Sequence, residues 1–128
     1  MDKGNIQSLC DDLLDQFMAA LNAHDSAAMD ACMHFPHVRM AEGIVAVYDA
    51  PGNNPMDLFE KLKARDAWHH SAWDHKRIVQ CNDEKAHLDV RYTRYREDDS
   101  VIGVYDSMYI ATCRNGRWGI QARSSFGP

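Results

Sequence analysis

Hydrophobic positions recur at steps of three and four over the start of the chain. Ile6, Leu9, Cys10, Leu13, Leu14, Phe17 and Leu21 fall on one side, with Asp11, Asp12, Asp15 and Gln16 opposite. This period predicts an amphipathic helix whose apolar stripe covers another layer. It ends near Asn22-Ala23-His24, where Asp25-Ser26 offers side-chain oxygens to cap a second, shorter helix. Ala28, Met29, Cys32 and Met33 share one side of that helix, and Pro36 is its expected stop. The pattern then changes to short extended pieces, residues 37–40 and 44–48, around a turn at Glu42-Gly43. Turn formers crowd residues 49–55, and Asn54-Pro55 suits a helix start, with Asn as cap and Pro at the first helical position. That third helix runs to about Asp66 with Leu58, Phe59 and Leu62 inward. Residues 67–73 show no period and read as a connection whose Trp68 and Trp73 need cover.

The remaining chain alternates with a period of two. Residues 76–81, 86–96 and the pair of runs within 101–126 predict an antiparallel meander. In the second strand Ala86, Leu88, Val90 and Tyr92 alternate with His87, Asp89, Arg91 and Thr93. Asn115-Gly116 suits a two-residue turn that needs positive φ at both positions. From that turn the register puts Cys113 opposite Trp118, Ala111 opposite Ile120, Tyr109 opposite Ala122, Ser107 opposite Ser124 and Tyr105 opposite Phe126. The other face carries Val104, Asp106, Met108, Ile110 and Thr112 beside Gly119, Gln121, Arg123 and Ser125, with Asp106 diagonal to Arg123. The order describes a single α+β domain over residues 1–128, with three helices in the amino-terminal half packed on one face of a curved antiparallel sheet. Which face of the terminal hairpin looks inward stays open.

Composition narrows the function classes. The net charge of −5 argues against nucleic acid or an anionic membrane surface as the main partner. The first residues carry no basic region followed by an apolar run, and no stretch approaches the roughly 20 apolar residues of a membrane span. A cytoplasmic protein is the expectation. Cys10, Cys32, Cys81 and Cys113 are scattered among apolar neighbours and read as reduced, buried thiols. Neither a Gly-x-Ser-x-Gly elbow nor a Gly-rich phosphate loop is present.

The element order, together with Phe17-Met-Ala-Ala-Leu-Asn-Ala-His-Asp25 and Gly116-Arg-Trp-Gly-Ile120, resembles the nuclear-transport-factor-two-like superfamily, in particular its SnoaL-like members. The resemblance implies a cone: a bent sheet wrapped around the helices, open at one end as an apolar pocket and paired into a homodimer through its other face. It covers activities from ketosteroid isomerases to limonene epoxide hydrolase and polyketide cyclases, and also non-catalytic domains, so the fold alone selects none. Ketosteroid isomerases carry an oxyanion-binding Tyr where this chain has Phe17 and a general-base Asp that aligns with Ala41. Their third site residue falls near Tyr109, so Asp106 could take that role only across a bulge. Asp89, Arg91 and Asp106 have the residue types of the epoxide hydrolase relay in a different order.

Candidate chemistry follows from these placements. Asp106 and Arg123 form a charged pair that either fixes a ligand's polar group or bridges strands in a dimer interface. His37 and His70 are candidate proton carriers. Met40, Tyr48, Trp68, Trp73, Tyr109 and Phe126 are the expected ligand-contacting side chains. His34 and His37 have a metal-like spacing, but Pro36 lies inside it, so neither metal nor cofactor is expected. The expected function is an apolar pocket for a small organic molecule. It would run cofactor-free isomerase, dehydratase or cyclase chemistry, with His70 or His37 shuttling a proton and Arg123, fixed by Asp106, stabilising an oxyanion. The alternative is a non-catalytic ligand-binding or dimerisation module.

Overall fold

Asp2 at the head of the first helix accepts a 2.8 Å hydrogen bond from the Asn5 amide, and Asp25 caps the second by accepting from the Ala28 amide at 3.0 Å. In the computed structural model, which describes residues 2–52 and 58–128, these caps open α1 (Lys3–Asn22) and α2 (Ser26–Ala31). Six strands and one further helix follow: β1 (Met33–Ala41), β2 (Ile44–Tyr48), α3 (Leu58–Asp66), β3 (His70–Cys81), β4 (Lys85–Tyr95), β5 (Val101–Arg114) and β6 (Arg117–Ser125). The expected helix start at Asn54-Pro55 lies outside the described residues.

The strands form one curved, unclosed sheet in the order β2-β1-β6-β5-β4-β3. All neighbours are antiparallel except β1 and β6, which run parallel, so the sheet is mixed and not wholly antiparallel as expected. Pro36 does not stop α2. The helix closes at Ala31, and Pro36 sits inside β1, where the pairing with β6 shifts between Met33 and Val38 and its missing N–H leaves no ladder bond unmade. Nor are residues 67–73 wholly a connection, because β3 begins at His70 and pairs with β4 from there. Both predicted tight turns form, with positive φ at Glu42 and Gly43 and again at Asn115 and Gly116, the geometry that matches the twist of the strands they join.

Curvature comes from bulges. Register slips between Trp73 and His75, between Ile78 and Gln80, and on β6 between the Ala111–Ile120 and Ile110–Ala122 pairs. Each inserted residue increases local twist and bends its strand. The concave face then closes over the stripe of α1. Ile6, Cys10, Leu14 and Phe17 meet Leu88, Val90, Ala111 and Ile120, all essentially without solvent contact. Full burial of one such aliphatic side chain contributes on the order of 1.5–3 kcal/mol, so this seam dominates the stability of the fold. Leu9, assigned to the stripe by its spacing, is at its edge and partly exposed. Two amide bonds lock the end of α1 to the start of β3: Asn22 Nδ2 donates to the Ser71 carbonyl and the Ser71 amide donates to Asn22 Oδ1, each at 2.8 Å.

Candidate functional site

Between the helices and the concave face lies a hollow of about 250 Å³. Its walls are set by strand alternation. Trp73 faces Tyr92 across β3 and β4, Tyr92 faces Tyr105, and Tyr109 stands on the same face of β5 two steps beyond Ser107. Trp73 meets Tyr92 and Tyr109 edge-on, with ring centroids 6.0 and 5.6 Å apart, and Phe17 meets Tyr109 edge-on at 6.3 Å. These are the preferred geometries for aromatic quadrupoles and hold the rings in fixed orientations. The Trp73 indole N–H donates to the Leu14 carbonyl at 3.0 Å, and that of Trp68 to Ser71 Oγ at 2.9 Å. Both indoles are thereby satisfied and present only carbon to the hollow.

The bulge at Gln121 decides the polar part. With uninterrupted alternation Ala122 would oppose Tyr109. The observed partner is Arg123, with Ser125 opposite Ser107. Arg123 therefore leaves the face of Asp106 and enters the aromatic one. Gln121 holds the bulge by accepting from Thr112 Oγ1 at 2.9 Å and donating to the Pro36 carbonyl. Arg123 Nε donates to His37 Nε2 at 2.9 Å, Tyr109 is its cross-strand partner on β5, and its guanidinium carbon lies 5.3 Å from the Phe17 ring centroid. His37 is fully buried, and its Nδ1 lies 2.9 Å from the Ile120 carbonyl. A carbonyl can only accept, so Nδ1 carries the proton and Nε2 receives the Arg123 bond. Burial, reinforced by the Arg123 charge, pushes the imidazole down to about 4. His37 is thus a neutral, single-tautomer anchor for Arg123. Burial likewise pulls the Arg123 guanidinium below its ordinary range, against the effect of Tyr109, and pushes the Tyr109 phenol up, against the pull of Arg123.

Two more arginines line the hollow. Arg39 is the β1 partner of Arg123 in the parallel ladder. Arg94 follows Tyr92 on the inner face of β4, with its guanidinium 5.6 Å from the Tyr92 centroid and 5.0 Å from that of Tyr105. At the mouth Glu42 accepts from Arg65 at 2.8 Å.

The model of a family described as NTF2-like protein (DUF6841) matches residues 4–125. The chain belongs to this NTF2-like family. No curated protein matches the sequence. Among solved structures, a protein from Catenulispora acidiphila in complex with S-DNPA is similar with a TM-score of 0.77 and 12% identity, covering 97% of this chain and 94% of that one. An NTF2-like protein with a cystatin-like fold from Novosphingobium aromaticivorans gives 0.75 at 10% identity over 93% and 79%. A ketosteroid isomerase-like protein from Erwinia carotovora atroseptica gives 0.66 at 18% identity over 94% of each chain. At such identities the likeness is one of fold.

Within this NTF2-like fold the site residues expected from sequence separate into two groups. Tyr48, Trp68, Trp73, Tyr109 and Arg123 line the hollow. Asp106, His70, Met40 and Phe126 do not. Asp106 is on the outer face, exposed and bonded to Arg91 Nε at 2.8 Å, because the bulge removed Arg123 from its side. Arg91 and its guanidinium bond hold the Asp106 carboxyl below the usual carboxylate range. The Asp89, Arg91 and Asp106 set therefore belongs to a solvated surface. His70 stacks on Tyr95 at 5.0 Å and lies 3.3 Å from Asp99, away from the hollow. Met40 alternates outward on β1, and Phe126 is 86% exposed beyond the end of β6. Sequence reading missed Arg94, although continuing the alternation Val90, Tyr92, Arg94 places it inward. It also missed Arg39, whose position depends on the parallel pairing with β6.

Proposed function

We propose that this domain is a receptor for a small ring-bearing organic molecule, held in the hollow between α1, α3 and the concave sheet face. The observation that carries the reading is the aromatic wall of Trp68, Trp73, Tyr92 and Tyr109 around about 250 Å³ of space. An apolar ligand there exchanges water for ring faces and edges, the usual source of small-molecule affinity. Binding without turnover is favoured over proton chemistry. Of the groups that could move a proton, His37 is locked by Ile120 and Arg123, His70 and Asp106 face elsewhere, and the one carboxylate side chain lining the hollow among the described residues, Glu42, is paired with Arg65. The test is titration with the neutral fluorophore Nile red, read by quenching of the tryptophans. A saturable one-to-one isotherm, lost in a hollow-filling Leu62→Trp variant that keeps its melting temperature, supports the receptor. Linear, unsaturable partition, or equal binding by Leu62→Trp, refutes it.

A second reading is cofactor-free isomerase, dehydratase or cyclase chemistry, favoured by the Arg123–Tyr109 pair, which could stabilise an oxyanion on a bound carbonyl compound. Here Arg123→Ala would abolish turnover of a ketone, epoxide or hydroxy acid while the protein stays folded. A homodimer through the outer sheet face is the proposed assembly, supported by the exposed Val104 and Met108 on that face of β5. Light scattering tests it, and a monomer at micromolar concentration refutes it.

A further inference from the structure

The hollow has the opposite sign to the molecule around it. In a chain of net charge −5 its lining includes Arg39, Lys61, Arg65, Arg94 and Arg123 against one acidic side chain among the described residues, Glu42. Among the described residues no carboxylate pairs with Arg39, Arg94 or Arg123. Arg94 is the extreme case. It is 7% exposed, and its Nη1 is buried with no hydrogen-bond partner among the described residues. A buried guanidinium with an unspent donor costs free energy that ordinary sequences avoid, which marks a position kept for something that is not part of the chain.

The surroundings hold that donor in place. Gly103 is the cross-strand partner of Arg94, and a Cβ there would fall 2.5 Å from the Tyr105 hydroxyl. The missing side chain lets the Tyr105 ring fold over Gly103 and lie beside the guanidinium, next to the Tyr92 ring, whose centroid is 5.7 Å from its own. On the opposite strand Arg94 faces Ser71, which is buried and whose Oγ accepts from the Trp68 indole. The Ser71 hydroxyl proton is then directed away from that indole. An arginine N–H and a serine O–H, side by side on an aromatic wall, match a planar monoanion better than a highly charged phosphate.

We propose that the ligand of this hollow is a carboxylic acid with an apolar, ring-bearing body, its carboxylate accepting from Arg94 Nη1 and Ser71 Oγ. Arg39 and Arg123 raise the positive potential of the opposite wall and draw the acid in. The proposal rests on the receptor reading and adds the chemical class of its ligand.

The experiment compares 3-phenylpropionate with its neutral amide, 3-phenylpropanamide, by calorimetric titration of the full chain at pH 7, where the acid is ionised. The wild-type protein should bind the acid about 10- to 100-fold tighter than the amide, the range expected for a charge-assisted bond in a dry site. Arg94→Met, which keeps the stem, should bring the two probes within about threefold of each other by weakening only the acid. Arg91→Met, on the outer sheet face, should keep the wild-type preference. Equal binding of the two probes by the wild-type protein overturns the acid proposal and leaves the receptor standing. So does a preference that survives in Arg94→Met. Binding of neither probe overturns the acid proposal, and failure of Nile red to saturate as well shows that the receptor reading fell with it.

Discussion

Replacing His37 by Gln isolates what the buried imidazole does to stability. An amide N–H can donate to the Ile120 carbonyl and an amide oxygen can accept from Arg123 Nε, so the variant can replace both bonds that His37 makes at 2.9 Å; it loses the titration and the stack of the ring on Tyr48, and only the first depends on pH. In the unfolded chain His37 titrates near its ordinary 6.5, whereas in the fold burial holds it at about 4. Above the first value the imidazole is neutral in both states and has no pH-dependent effect. Between the two, the unfolded chain binds a proton that the folded one refuses, so stability falls as the pH falls. The complete gap corresponds to roughly 3 kcal/mol, of which about 2 kcal/mol is already lost at pH 5. For a domain of this length that is a drop of roughly 6–10 °C in melting temperature. Burial lowers His34 in the same direction, and the carboxylates add their own acid dependence, but both are common to the two proteins and cancel in the comparison. Thermal and urea unfolding at pH 7 and pH 5 should therefore show the wild type losing about 2 kcal/mol more than His37→Gln. Parallel losses in the two proteins would show that His37 is not held neutral, and the tautomer assigned to it, with its grip on Arg123, would fall too.

Other substitutions probe separate links. Gly119→Ala places a Cβ 2.7 Å from His34 Cδ2, and that ring cannot move aside because its Nε2 bonds the Arg117 carbonyl at 2.8 Å and its Nδ1 the Arg117 guanidinium at 3.0 Å. A loss of about 1–3 kcal/mol in urea unfolding is expected, and no loss would contradict the packing. Asn22→Ala removes both amide bonds to Ser71 and orphans its N–H, so a loss of about 2 kcal/mol is expected by the same measurement. Asp106→Asn on the exposed outer face should shift the melting temperature by no more than about 2 °C and leave Nile red binding unchanged. A large effect on binding would return Asp106 to the site.

The turns, the first helix and the cap of the second were legible because their signals are local. Asn115-Gly116 predicts a two-residue turn and a register that holds from Cys113–Trp118 through Ala111–Ile120. Beyond that pair the prediction slips by one residue, since nothing in the neighbourhood of Gln121 marks a bulge. What stabilises it is the Gln121 bond to the Pro36 carbonyl, 85 positions away. That one residue reassigned Arg123 from Asp106 to Tyr109 and His37. The aromatic lining at Trp68, Trp73 and Tyr109 could be anticipated from bulk that needs cover. The identity of the polar anchors could not, because the pairing of Arg39 with Arg123 is set by a parallel contact between strands from opposite ends of the chain.

The most direct test of the central claim is a crystal structure of the protein grown with 3-phenylpropionate. The account predicts the phenyl ring against Trp73 and Tyr109 inside the hollow, with the carboxylate within hydrogen-bond distance of Arg94 Nη1. A hollow filled by its own side chains, or the acid bound on the outer face beside Arg91, would contradict it.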